Sequence, residues 1–569
     1  MKPITTSVYT FSNLIEGCFL YVDKTAAIAD LISAPRGQYF LARPRRFGKS
    51  LLISTLKAIF QGRRELFEGL HIASTDYVWK PYPVIHLDMG SAAAQTPEEL
   101  EAKLLQEIRY NAQQNRMDIE TTTAAAGFLA LIRQLAERDG QVVILVDEYD
   151  KPLLGHLGHP SAKPIQTVLK QFYSVIKTTE ANQRFAFLTG VSKFTKVSIF
   201  SDLNNLTDLT MDPRTATLLG YTQDELEANF PDYIARLAGA IGRTTPETLE
   251  ELRIWYNGYR FEENAQTVYN PVSVMKCFDT QKFKNYWFET GTPTFLVDLL
   301  RQKPIDPTGM TADEADFGTY DPEHLSVLPL LVQTGYLTIK HAEGPLGALT
   351  YSLGYPNREI ELSFSRSLAQ GFTHLAPEDV TSSLQRMIAA LRENRQADML
   401  DTLKVFFANI PNTISINNEK YYQTIFFTVF KLIGVSIETE VNTNIGRIDA
   451  VVKTASRIIL FEFKLNGTAE EAMAQIREKR YAEPYLHDGR PITLVGVEFS
   501  AITRNLGAHR IESLDDGSEP ERTVIRETAG EPYATEAEAR CATHERERIA
   551  HRLQAKGIPA DIIAEVTAR

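Results

Sequence analysis

The chain has 569 residues, 43% hydrophobic and 23% charged, a globular composition that excludes a fibrous or wholly disordered polymer and predicts about four units at roughly 150 residues per domain. Sixty Lys and Arg against 72 Asp and Glu leave a net charge of −12, which excludes a uniformly basic nucleic-acid coat but not a local basic cleft. Three scattered cysteines, Cys18, Cys277 and Cys541, exclude a disulfide framework and a CxxC zinc site, and with no signal sequence and no apolar run of roughly 20 residues a cytoplasmic protein without a membrane segment is expected.

In chain order, residues 38–42 read as a short apolar strand, 43–50 (RPRRFGKS) as a loop, and 51–62 as a helix whose Leu51, Leu52, Thr55, Leu56 and Ile59 share a face. Strands follow at 82–89, 141–146 and 184–189, with helices at 97–114, 124–138 and 165–179 between them. This alternation predicts an α/β domain with a mostly parallel sheet over 1–210. From 211 to 325 the pattern turns helical (222–237, 246–256) and aromatic (255–261, 285–288), which predicts a lid with packed rings in preference to a base-stacking platform. A helix running into a strand at 325–339, with a partner at 348–353, predicts a small winged-helix-like module over 326–375, and 376–410 reads as a helical connector. Residues 411–505 read as a second α/β unit: a helix at 421–432, strands at 436–441, 447–452 and 457–465, a helix at 468–482 and a strand at 492–499. The remainder, 506–569, reads as a solvated acidic linker (five acids and no base in 512–521) and a helical tail.

Two constellations carry chemistry. Gly48-Lys49-Ser50 lies between a strand and a helix, where backbone N–H groups and the helix N-terminus cradle phosphates. Lys49 would reach the β- and γ-phosphates of ATP, and the Ser50 hydroxyl would ligate Mg²⁺. Arg43 stands where GxxxxGKS has its first glycine, and Arg43, Arg45 and Arg46 are expected to add positive charge beside the phosphates. Asp147 ends an apolar strand as a Walker-B Mg²⁺ ligand does, and Glu148 is placed to orient or deprotonate the attacking water. Thr189, with Ser192 and Lys193 after it, ends the neighbouring strand and could sense the γ-phosphate. Met alone, Lys49 is a solvated helix-start lysine and Asp147 a strand-ending cap; their order and context favour the nucleotide site.

The segments YVDKT (21–25), ARPRRFGKSLL (42–52), ILVDEYDKPL (144–153), LTGVSKF (188–194), WYNGYRF (255–261), YNPVSV (269–274) and NYWFETGTP (285–293) resemble the AAA-ATPase-like family of prokaryotic P-loop proteins. The resemblance implies a P-loop ATPase core with a helical lid, commonly fused to a nuclease-type domain, and implies little about biological role.

The second constellation is Asp449 in GRIDAVV and Glu462-Phe463-Lys464 in ILFEFKL. In a strand Glu462 and Lys464 share one side, and Asp449 on the adjacent strand can meet Glu462. Two carboxylates can hold Mg²⁺, or Mn²⁺, through oxygen, and Lys464 can stabilise charge developing on phosphorus. Glu419 could add a further acid, and Gln475 and Tyr481 could touch the scissile phosphate. This set resembles the PD-(D/E)XK nuclease superfamily, which implies a restriction-endonuclease-like α/β/α domain. A lone E-x-K also arises by chance on an exposed edge strand, and a degenerate domain could keep the fold without cutting.

The expected function is an ATP- and Mg²⁺-dependent nuclease or nucleic-acid-processing protein, acting on DNA in preference to RNA, with self-association open. A nucleotide-switched regulator or scaffold that binds without cutting, and a protein-partner sensor, fit the same residues. An acidic chain must hold a polyanion through a local basic field; Arg447, Arg457, Lys464, Arg477, Lys479 and Arg480 are the candidates, with Glu470, Glu471 and Glu478 among them.

Overall fold

The computed structural model describes residues 1–156, 159–193, 205–287, 310–318, 327–345, 348–373, 376–409, 426, 428–430, 436–442, 446–454, 456–500 and 505–514. The chain divides into two compact units, Met1–Glu440 and Val441–Arg569.

The first unit is built on five strands: β1 (Gly37–Ala42), β2 (Val84–Asp88), β3 (Val142–Asp147), β4 (Gln183–Gly190) and β5 (Thr207–Asp208). Their order is β2-β3-β4-β1-β5, and every pairing is parallel. The order places β4 between β1, which leads into the phosphate loop, and β3, which ends in Asp147. β3 and β4 are buried along their whole length, as a strand covered on both faces requires. Helices Pro97–Gln114, Ala124–Asp139 and Ala162–Thr178 bury Leu104, Leu131 and Phe172 in one core with Phe40, Ile144 and Leu188 of the sheet. On the opposite face Phe60, from helix Lys49–Phe60, packs on Phe185 with ring centroids 4.9 Å apart.

The helical region departs from expectation in two places, a further helix at Pro271–Thr280 and a break near 230. The single helix anticipated at 222–237 is two, Gln223–Asn229 and Pro231–Ile241. Pro231 has no N–H to continue the first helix and takes the N-terminal position of the second instead. Helices Thr245–Tyr256 and Pro271–Thr280 complete a core in which Tyr256 and Phe283 stack at 5.9 Å. Tyr256, Tyr259, Tyr286 and Trp287 are buried, as packing rather than base stacking requires.

Several of the quoted segments prove to be struts. Lys24, half-buried, pairs with Glu225 at 2.6 Å and donates to the Thr217 carbonyl at 2.8 Å. Asp23 accepts from the Thr25 and His71 N–H groups, both at 2.8 Å. Gly258 has φ +105°, and a Cβ there would lie 2.0 Å from the Pro356 carbonyl oxygen.

Beyond the lid, helix Val327–Thr334 leads into β7 (Thr338–Glu343), which pairs with β8 (Thr350–Gly354) in the antiparallel order β6-β8-β7, β6 being Thr311–Asp313. Helix Arg358–Thr373 was not anticipated, and the helical connector expected over 376–410 is two helices, Pro377–Arg392 and Gln396–Ala408, separated at Asn394 with φ +54°.

The second sheet has the order β13-β12-β11-β10-β9, and the division between units falls within β9 (Ser436–Asn442). β10 (Arg447–Lys453) and β11 (Ile458–Leu465) are antiparallel. β11 pairs in parallel with β12 (Ile492–Ser500), and helix Ala469–Glu478 makes the crossover. Met473 and Ile476 of that helix close over Leu460 and Leu494. β13 (Asn505–Leu514) runs antiparallel to β12, so the acidic linker does not begin at 506. Its Glu512, counted there among solvated acids, is buried and paired with Arg477 and Arg510. The expected helix at 421–432, apart from a few residues, and the tail lie outside the described residues. No helix among the described residues is long and apolar enough to cross a membrane.

Candidate functional site

The phosphate loop leaves β1 at Ala42 and enters helix Lys49–Phe60 through Gly48, whose φ of +93° is left-handed and suits glycine. Lys49 is 6% exposed, and its Nζ donates to the carbonyls of Arg43 and Pro44 at 3.0 and 2.9 Å. Burial lowers its pKa, against the pull of Asp147, Glu148 and Asp150. A buried ammonium resting on two carbonyls is a cation ready to exchange them for phosphate oxygens.

Arg43 corrects an expectation. Its guanidinium donates to the carbonyls of Ala42 (2.9 Å), Thr210 (2.8 Å) and Thr215 (2.9 Å) and lies 4.1 Å over the Phe261 ring. With both terminal nitrogens on main-chain oxygen, it braces the loop instead of adding charge beside phosphates. Arg46, at φ +66°, donates to the Tyr286 carbonyl, and the Arg45 carbonyl accepts from the Trp287 indole at 3.2 Å. The Tyr286 and Trp287 N–H groups in turn converge on the buried Glu359 carboxylate at 2.6 and 2.8 Å. Burial raises the Glu359 pKa to about 7, against those two N–H groups and Arg46.

Asp147 is 5% exposed; burial raises its pKa, while Ser50 and Lys49 pull it back. Ser50 and Asp147 are therefore neighbours, and this pairing of hydroxyl and carboxylate fits a Mg²⁺ ion held between helix and strand end. Glu148 follows at φ +50°, partly exposed, with Lys151 at 3.8 Å. Thr189 is fully buried, and its hydroxyl has no hydrogen-bond partner among the described residues. Ser192 and Lys193 are engaged elsewhere: Ser192 N and Oγ donate to Asp150 at 2.8 and 2.9 Å, and Lys193 pairs with Asp208 at 3.0 Å. Asp88, beside Asp147 in register, and the buried Asp150 were missed. The strand-ending acid of HLDM was a readable signal for Asp88; Asp150 looked like one more acid in DEYD.

In the second unit, the antiparallel register brings Asp449 alongside Glu462, and the Asp449 carboxylate accepts from the Phe463 N–H at 2.8 Å. Glu462 is 2% exposed. Burial, then the Asp449 charge, raises its pKa to about 7, while Lys464 pulls it down. Lys464 Nζ lies 3.4 Å from Glu462 Oε1. The Gln475 amide donates to that same oxygen and accepts from Lys464. It also reaches the Tyr481 hydroxyl at 3.3 Å, which donates to the Arg447 carbonyl at 2.7 Å. Gln475 and Tyr481 thus join Glu462 and Lys464 in one network. Glu419 lies outside the described residues.

Glu462 Oε2 is buried and has no hydrogen-bond partner among the described residues. An orphaned carboxylate oxygen beside a second carboxylate is costly. A divalent cation would satisfy both, and an all-oxygen donor pair suits Mg²⁺ or Mn²⁺. The described residues hold no group of three or more His, Cys, Asp or Glu poised for a metal, so the pair is what they offer. The basic field differs from expectation. Arg477 is paired with Glu512, Arg480 with Glu483, and Arg457 donates to Thr493 and Ser513. Lys479 stays near the site, its Cδ 3.6 Å from the position a Cβ on Gly446 would take.

Residues 5–200 match the family described as "Predicted AAA-ATPase", and residues 417–509 match the PD-(D/E)XK nuclease superfamily. The "Uncharacterized protein in vnfD 5'region" of Azotobacter chroococcum mcd 1 is 36% identical over 526 residues, 90% of this chain and 99% of the relative. Among solved structures, the Aeropyrum pernix ORC2 protein aligns with 63% of this chain and 94% of its own, at 12% identity and a TM-score of 0.27, a likeness too low to carry an argument. With both domains matched in order and a relative aligned over nearly its full length, the chain belongs to the AAA-ATPase-like family, with a PD-(D/E)XK nuclease superfamily domain at its C-terminal side.

Proposed function

We propose that the protein binds and hydrolyses ATP at Gly48-Lys49-Ser50, Asp147 and Glu148, and that this regulates metal-dependent cleavage or processing of nucleic acid, DNA in preference to RNA, by the C-terminal domain. At the first site Ser50 and Asp147 would hold Mg²⁺, whose charge offsets that of the phosphates. Lys49 leaves its two carbonyls for phosphate oxygens. Glu148 takes a proton from the water that attacks the γ-phosphorus, the new O–P bond forming as the bond to the β-phosphate oxygen breaks. Thr189, whose buried hydroxyl has no hydrogen-bond partner among the described residues, would sense that phosphate.

At the second site Asp449 and Glu462 would hold Mg²⁺ or Mn²⁺, which would polarise the phosphodiester. Lys464 stabilises negative charge on phosphorus, and Gln475, steadied by Tyr481, fixes both Lys464 and Glu462. The observation that carries this reading is the buried, unpartnered Glu462 oxygen beside Asp449. A second reading, a domain that binds nucleic acid or a protein partner without cutting, draws support from the ion pairs of Arg477 with Glu512 and Arg480 with Glu483, which leave fewer unpaired cations to grip a polyanion for cleavage. The test incubates the full chain with linear, circular and single-stranded nucleic acid, with Mg²⁺ or Mn²⁺, with and without ATP. Cleavage that Asp449→Asn and Glu462→Gln abolish supports the nuclease reading; binding without cleavage under every condition selects the second.

A further inference from the structure

A cavity of about 470 Å³ opens beside the nucleotide site. Ser50, Asp147 and Glu148 line its inner end. From there it follows one stripe of helix Lys49–Phe60 past Ser54 to Lys57 and on to Gln61. Those positions are spaced four, three and four residues apart and share a helical face. Lys57 therefore stands about 10 Å along the helix from Ser50.

The two ends differ in charge. The inner end carries Asp147 and Glu148, with Asp88 beside them. The outer end carries Lys57 and His86; burial, then the Lys57 charge, lowers the His86 pKa to about 4 against the pull of Asp88, so that its ring is neutral. Burial lowers the Lys57 pKa with no carboxylate raising it, and no ion pair to Lys57 occurs among the described residues. A half-buried ammonium without a counter-ion, flanked by a neutral imidazole and the Gln61 amide, is a set of donors lacking an anion.

We propose that this cavity is the exit route for inorganic phosphate after ATP hydrolysis, with Lys57 as the cation that receives it. The proposal rests on the ATPase reading of the phosphate loop. A phosphate freed at the inner end is repelled by the carboxylates there, and the cavity leads it along the helix to an unneutralised cation. Charge asymmetry along one continuous space gives release a direction.

The test compares wild type, Lys57→Met and Lys57→Arg in the full chain. ATP cleavage is followed by rapid quench and phosphate release by a fluorescent phosphate sensor. Lys57→Met should slow release about tenfold relative to cleavage, and Lys57→Arg should restore it. Equal release in wild type and Lys57→Met overturns the proposal. If the wild type cleaves no ATP, the ATPase reading falls, and the cavity is judged with inorganic phosphate alone on the nucleotide-free protein. Phosphorus-31 line broadening that is lost in Lys57→Met, and kept in Lys57→Arg and in Lys49→Ala, supports an anion site. Its absence from the wild type overturns one.

Discussion

Glu462→Gln tests the metal site without any assumption about substrate. The Glu462 carboxyl is raised from 4.5 to about 7 by burial and by Asp449. Between those values the unfolded chain has released its proton while the folded chain keeps it, so the native state loses stability as pH rises through that window. The full penalty is present above pH 7. The gap corresponds to about 3 kcal/mol at roughly 1.4 kcal/mol per unit, undiscounted because the side chain is only 3% exposed. Glutamine keeps the shape and removes the charge, so in EDTA at pH 8 the variant should be the more stable protein. Because the chain has two units, hydrogen exchange on β11 peptides is the appropriate readout rather than a global melt. After correction for intrinsic rates, β11 exchange in the variant should be slower by on the order of a hundredfold at pH 8, and indistinguishable from wild type near pH 4.5. Mg²⁺ should protect β11 in the wild type and leave the variant unchanged. Equal protection of the two proteins at pH 8 in EDTA, or wild-type protection that is flat across the window, would refute the reasoning.

Lys49→Ala should abolish ATP binding in a titration, because the cation that leaves the Arg43 and Pro44 carbonyls for phosphate is gone; Glu148→Gln should bind ATP normally and turn over about a hundredfold more slowly. Lys479→Ala should flatten the dependence of nucleic-acid affinity on log salt by about 0.9, one lost phosphate contact, whereas Arg477→Ala, whose partner is Glu512, should leave the slope unchanged in the same anisotropy series. Gly258→Ala, with its Cβ 2.0 Å from the Pro356 oxygen, should cost about 3 kcal/mol, read as an earlier thermal transition with β11 exchange unchanged.

What the sequence determined by itself lies within a few residues of each signal. Gly48-Lys49-Ser50 falls between a strand and a helix because a short continuous apolar run gives way to an apolar pattern of period 3.6. Glu462 and Lys464 share a side because strand alternation requires it. The break at Pro231 was equally local and was there to be read. Tertiary structure alone decided what the arginines and the buried acids do. Arg43 became a brace because Thr210 and Thr215 present carbonyls to it from more than 160 residues away. The Arg46 guanidinium is fastened by the Tyr286 carbonyl, and Tyr286 is itself held by Glu359. Glu512 left the expected linker because β13 adds to the sheet and meets Arg477. A charged side chain has no periodicity that names its partner: whether it meets phosphate, a carbonyl or an opposite charge depends on which distant element the fold brings against it, and burial then sets the cost of leaving it unpaired.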